Sequence, residues 1–112
     1  MRSAAGALVI GAGLGLGAPA AADDFARGLS AYNAADYRGA FEAWYPLADE
    51  NDAKAQAAIA FLYLKGLGVR QDDVRAADWY RRAARLGRPE AQFFLGTLYY
   101  LGRGVPQNDQ LA

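Results

Sequence analysis

Apolar residues recur every three or four positions through most of this chain, and no stretch of it reads as a strand. Phe25, Leu29 and Tyr32 keep helical spacing between Asp24 and Ala34. Tyr37, Ala40, Phe41, Trp44 and Leu47 do so in the next segment, which has Asp36 as its cap and ends near Asp49. Pro46 lies inside that segment and is expected to bend or loosen its final turn. A third helix is predicted from Ala53 to Lys65, stopped by Gly66. A fourth starts at Asp72-Asp73, whose charge favours the free amides of a first turn, and ends near Gly87. Its apolar line is Ala76, Trp79, Tyr80, Ala83 and Ala84. Pro89 opens a fifth helix, where proline is well tolerated, and that helix runs to about Leu101. Asn108-Asp109 repeat the helix-start signal just before Ala112.

The pattern is also periodic on a longer scale. Gly66-Leu67-Gly68-Val69 returns 36 residues later as Gly102-Arg103-Gly104-Val105. The same offset pairs Ala55-Gln56 with Ala91-Gln92, Leu62-Tyr63 with Leu98-Tyr99, Gln71 with Gln107 and Asp73 with Asp109. Ala40 and Ala48 lie one period before Ala76 and Ala84. Such a period marks a solenoid, whose units bury their apolar faces only against neighbours. Gly66-Leu67-Gly68 is a structural turn rather than a phosphate cradle, because it recurs without a Lys-Ser or Lys-Thr pair after it.

Ala55, Gln56, Leu62-Tyr63, Gly66, Gly68-Val69, Asp72-Asp73, Ala76-Ala77, Trp79-Tyr80, Ala83-Ala84 and Gly87 together resemble the Sel-one-like repeat, a relative of the tetratricopeptide repeat. The resemblance implies an all-α, right-handed α-α superhelix of about five helices with an incomplete last repeat. Residues 23–52 form an N-terminal capping helix pair in this reading, 53–88 a first full repeat and 89–112 a second, incomplete one. Members of the family are mostly non-catalytic adaptors that assemble complexes, and in bacteria many work in the envelope or in signalling. By resemblance to tetratricopeptide arrays, one face of each unit's first helix lines a concave groove. That face carries Lys54, Ala57, Phe61, Leu64 and Lys65, with counterparts at Glu90, Phe93, Thr97, Tyr100 and Leu101. Aromatic residues with charged flanks suit an extended or helical peptide. The implied function is a module that binds a protein or peptide and has no catalytic residue. Two alternatives stand beside it: a cell-wall-related or β-lactam-hydrolysing accessory enzyme, as among cysteine-rich secreted relatives, and a remnant of a longer array.

Composition narrows these further. There is no cysteine, so a disulfide framework and a thiolate nucleophile are excluded and the link to cysteine-rich relatives weakens. There is no histidine, and beyond residue 22 the only hydroxyls of serine and threonine are Ser30 and Thr97. Serine–histidine and cysteine–histidine mechanisms therefore lack their parts, as does a zinc site, and no cofactor or metal is expected. The carboxylate pairs Asp23-Asp24, Asp49-Glu50 and Asp72-Asp73 all fall at helix ends or at the start of the mature chain. Twelve basic residues balance twelve acidic ones, so net charge favours no nucleic acid as partner. Arg75, Arg82 and Arg85 share a helical face, read as solvated, with Asp78 placed to pair with Arg82 at i, i+4.

The first 22 residues have the layout of a secretory signal: Met1-Arg2, an uncharged apolar run from Ala7 to Ala18, and small residues at Ala20-Ala21-Ala22 before Asp23-Asp24. A cut after Ala22, a periplasmic or secreted location and no stable membrane insertion after its removal are the expectations. At the other end the sixth helix is missing. Leu95, Leu98 and Tyr99 are expected to lie open there, as a contact site or a surface for self-association. An ending inside a repeat favours a chain cut short.

Overall fold

Aspartates start three of the helices, in a computed structural model that describes residues 18–105. The helices are α1 (Ala18–Asn33), α2 (Tyr37–Asp49), α3 (Ala53–Lys65), α4 (Asp73–Arg85) and α5 (Pro89–Leu101), and no strand occurs among the described residues. Most of the signal segment, residues 1–17, and the helix-start signal at Asn108-Asp109 lie outside them. Asp36 accepts a hydrogen bond from the Gly39 amide at 2.9 Å. Asp52 accepts from Lys54 and Ala55 at 3.0 and 3.2 Å, and Asp72 from Arg75 at 3.0 Å. These bonds satisfy first-turn amides that have no partner inside the helix. Helix α5 has no side-chain cap and starts on proline, which brings no amide to satisfy. Pro46 does not end α2: the helix continues to Asp49, and the Glu50 amide donates to Pro46 O at 3.2 Å.

Each helix packs on its neighbour in sequence, so the core is a continuous seam rather than a central ball. Ala40, Ala48, Ala55, Ala76, Ala83 and Ala91 are buried where helices meet, and their small side chains allow close approach. Trp44, Ile59, Leu62, Trp79, Tyr80 and Leu98 fill the space between. Burying an aliphatic side chain such as Leu62 is worth about 1.5–3 kcal/mol.

One recurring polar contact holds successive units together. The Gln56 side-chain amide is buried and donates to Ala48 O at 3.0 Å. One period later the Gln92 amide donates to Ala84 O at 3.3 Å. Each glutamine so adds a second donor to a last-turn carbonyl of the preceding helix, which also accepts the Asn51 or Gly87 amide. The loops are tied across units as well. Arg103 donates to both carboxylate oxygens of Asp73, at 2.9 and 3.0 Å, and joins the turn after α5 to the start of α4. Gly68 has φ 74°, and a Cβ there would lie 2.6 Å from the Tyr37 carbonyl carbon. Only glycine meets both demands.

The open end differs from expectation. Leu98 is buried, and Leu95 and Tyr99 are half-buried against the core, because this is the face of α5 that lies along the seam. Exposure falls instead on Phe93, Tyr100 and Leu101, at 68, 83 and 51%.

Candidate peptide-binding groove

An apolar concavity of about 350 Å³ opens between the N-terminal helix pair and the first helices of the two repeats. Its walls are paired aromatic rings. Phe25 stacks on Trp44 with centroids 5.3 Å apart, and Phe94 stacks on Tyr80 at 5.2 Å. Trp44 and Tyr80 are one repeat period apart, and so are Phe25 and Phe61, which also faces the groove. The repeat therefore builds a ladder of rings. Ala57 and Ala58 keep the floor between them shallow.

The polar groups here are few and unequal. Trp44 Nε1 donates to Phe25 O at 3.1 Å. The Tyr80 hydroxyl, at the equivalent position, has no hydrogen-bond partner among the described residues, and the residue is 1% exposed. Burial, with the charge of Glu90 adding, pushes its pKa well above the usual tyrosine value, so it stays protonated and able to donate. At the rim, the Lys54 ammonium sits 4.4 Å from the Phe25 ring centroid. Arg88 pairs with Glu90. Glu90 lies in the first turn of α5, where its own backbone amide and then Arg88 hold its carboxyl below the usual glutamate range.

Of the residues expected to line a groove, Lys54, Ala57, Phe61 and Glu90 come together here. The others lie elsewhere. Leu64 is buried in the seam. Lys65 places its ammonium 5.9 Å from the Phe61 ring centroid, outside the groove. Phe93 and Tyr100 stand exposed on the outer side of α5, with Phe93 edge-on to Phe94 at 5.4 Å. Thr97 donates its hydroxyl to Phe93 O at 3.0 Å. Phe94 takes the place expected for Phe93. Phe25, Leu29, Tyr32, Trp44 and Tyr80 complete the lining and were not foreseen as such. The 36-residue offset between Phe25 and Phe61 was the signal for the first of them.

The arginine face of α4 also departs from expectation. Asp78 bonds Arg81 at 2.9 Å, not Arg82, whose guanidinium lies 4.3 Å from the Trp79 ring centroid. Among the described residues no cluster of three or more histidine, cysteine, aspartate or glutamate side chains could hold a metal ion. No helix among them is long and apolar enough to cross a membrane.

Comparison with known proteins agrees with this architecture. The family model of the Sel1 repeat matches residues 53–87 and 89–112. A protective antigen present in uropathogenic Escherichia coli strains, with an SLR fold, superposes with a TM-score of 0.74 at 27% identity, covering 78% of this chain and 20% of that one. A Sel1 repeat protein from Oxalobacter formigenes superposes with a TM-score of 0.70 at 36% identity, covering 77% and 34%. The ERAD-associated E3 ubiquitin-protein ligase component HRD3A of Arabidopsis thaliana is 32% identical over 69 residues, 62% of this chain and 10% of its own length. The chain thus spans about a tenth of the curated relatives it matches.

Proposed function

The chain belongs to the Sel1 repeat family, and on that premise we propose that it is a non-catalytic adaptor of the bacterial envelope that holds a protein or peptide in the aromatic groove. Sel1 repeats mediate protein–protein interaction, and proteins built from them are typically non-catalytic. The Arabidopsis relative is by name a component of an E3 ubiquitin-protein ligase. The envelope assignment rests on the signal-like layout of residues 1–22.

The observation that carries the groove reading is the buried, unpartnered Tyr80 hydroxyl among stacked rings. A buried donor without an acceptor costs about 1–3 kcal/mol. A peptide that parts the rings covering it brings a carbonyl to the hydroxyl and recovers that cost, while an adjacent leucine or phenylalanine side chain fills the apolar volume. The rim charges of Lys54, Arg88 and Glu90 then select flanking residues.

Pull-down from envelope extract tests this, with wild type compared against Ala58→Arg, which fills the groove from a half-buried position, and Tyr80→Phe, which removes only the donor. A partner bound by wild type, lost with Ala58→Arg and weakened with Tyr80→Phe supports the reading. Partners retained by both variants, with unchanged circular dichroism, would refute it.

A further inference from the structure

We propose that the side of the solenoid away from the groove carries a second site, for an extended acidic peptide with an apolar residue between its carboxylates. Tyr63 follows Lys54 by nine residues on α3. At 3.6 residues per turn that is about 180° around the helix. On that side Tyr45, Tyr63 and Trp79 floor a separate depression of about 350 Å³. Arg75, Arg81, Arg82 and Arg85 surround it, all from α4.

The four arginines are not equally engaged. Arg81 is bonded to Asp78 at 2.9 Å and reaches Tyr99 Oη at 3.5 Å. Arg75 bridges Asp72 at 3.4 Å. Arg82 and Arg85 have no salt bridge among the described residues; Asp49 borders the neighbouring depression with them and does not bridge either. Arg82 has its guanidinium over the Trp79 ring, and Trp79 meets Tyr45 edge-on at 5.7 Å. A guanidinium so placed is already ordered, so less freedom is lost when it takes a carboxylate.

Shape and sign choose the occupant. Arg75 to Arg85 covers ten residues of helix, about 15 Å, which is the length of four or five residues of extended peptide at about 3.3 Å each. One phosphate or sulfate reaches only part of that strip. A uniform polyanion meets the exposed carboxylate of Asp78 midway along it. A peptide with spaced carboxylates offers anions to the arginines, an apolar side chain to Trp79 and Tyr45, and a backbone amide to Asp78.

Fluorescence anisotropy with the purified protein and a fluorescein-labelled Glu-Phe-Glu-Leu-Glu peptide tests the site. Saturable binding is expected, weakened about tenfold or more by Arg82→Ala with Arg85→Ala, as for the loss of two charge-assisted contacts. Arg82→Lys with Arg85→Lys, which keeps the charge, should retain part of it, and the groove variant Ala58→Arg should bind like wild type. Four results would overturn the proposal: no binding to wild type; equal binding by the double alanine variant at unchanged helicity; displacement by equimolar inorganic pyrophosphate, or binding of pentaglutamate as tight as that of the mixed peptide; and loss of binding in Ala58→Arg, which would put the peptide in the groove.

Discussion

Helices α3 and α5 share one register and live in different surroundings. Ala55 and Ala91 are buried, and so are Leu62 and Leu98, one pair for each framework position. The other face diverges. Ala57, Ala60 and Leu64 are buried in α3, while their counterparts Phe93 and Tyr100 are exposed in α5 and Gly96 has nothing within 4 Å of where a Cβ would stand. Helix α3 is flanked by α2 and α4, whereas α5 packs on α4 among the described residues. Both helices pack on the helix before them, α2 for α3 and α4 for α5, and the framework positions are buried in both. The remaining positions take their burial from whichever helix lies next, so equal spacing in sequence does not mean equal surroundings.

The largest test of that contrast is a pair of truncations at one repeat position. Ile59 is fully buried and Leu95 half-buried. Ile59→Ala is expected to cost about 3–4 kcal/mol and Leu95→Ala about 1–2 kcal/mol, read by urea unfolding; equal losses would erase the distinction. The turns offer the next. Gly68→Ala combines φ 74° with a clash against the Tyr37 carbonyl and should cost about 2–3 kcal/mol, whereas Gly87 (φ 91°) has open space and should lose only about 1–2 kcal/mol for its backbone. If thermal melts put both variants together, the clash at Gly68 is relieved by movement and the two loops are equivalent. Third, Ala60→Leu overpacks a closed site, at about 2 kcal/mol, while Gly96→Ala on the open face should stabilise by about 0.5–1 kcal/mol. A loss at Gly96 would mean that this face is covered in solution.

The smallest effect is a pH dependence. Glu90 has its folded-state pKa lowered, so its contribution is present above the usual glutamate range and is lost as the pH falls through the folded value. Glu90→Gln should flatten that part of the acid limb of a stability–pH curve and leave neutral-pH stability little changed. An unchanged acid limb would show that the α5 amide and Arg88 do not hold the charge.

The helices were legible because their ends are written in local chemistry: aspartates at the starts of α2 and α4, and glycines of positive φ after α3 and α5; Asp52 caps α3 by the same chemistry, a signal that only the structure brought out. The groove was legible only in part. Lys54, Ala57 and Phe61 sit on one helix, where spacing decides which side chains share a face. Phe94 replaced Phe93 because the rotation of α5 on α4 is a tertiary property that periodicity alone leaves open. Trp44 and Tyr80 read as core, since a ring that packs the seam and a ring that walls a groove have the same spacing. The Asp78–Arg82 pair failed for a similar reason: an i, i+4 rule does not know that Trp79 offers Arg82 its face.

The Gln56 and Gln92 contacts have a direction. Each glutamine reaches back to a helix that precedes it in the chain, and none needs a residue that follows it. A polypeptide that emerges amino terminus first, as every chain does during synthesis, can therefore clasp each unit onto the last as it appears. Assembly can keep pace with elongation, with little apolar seam left uncovered on the way.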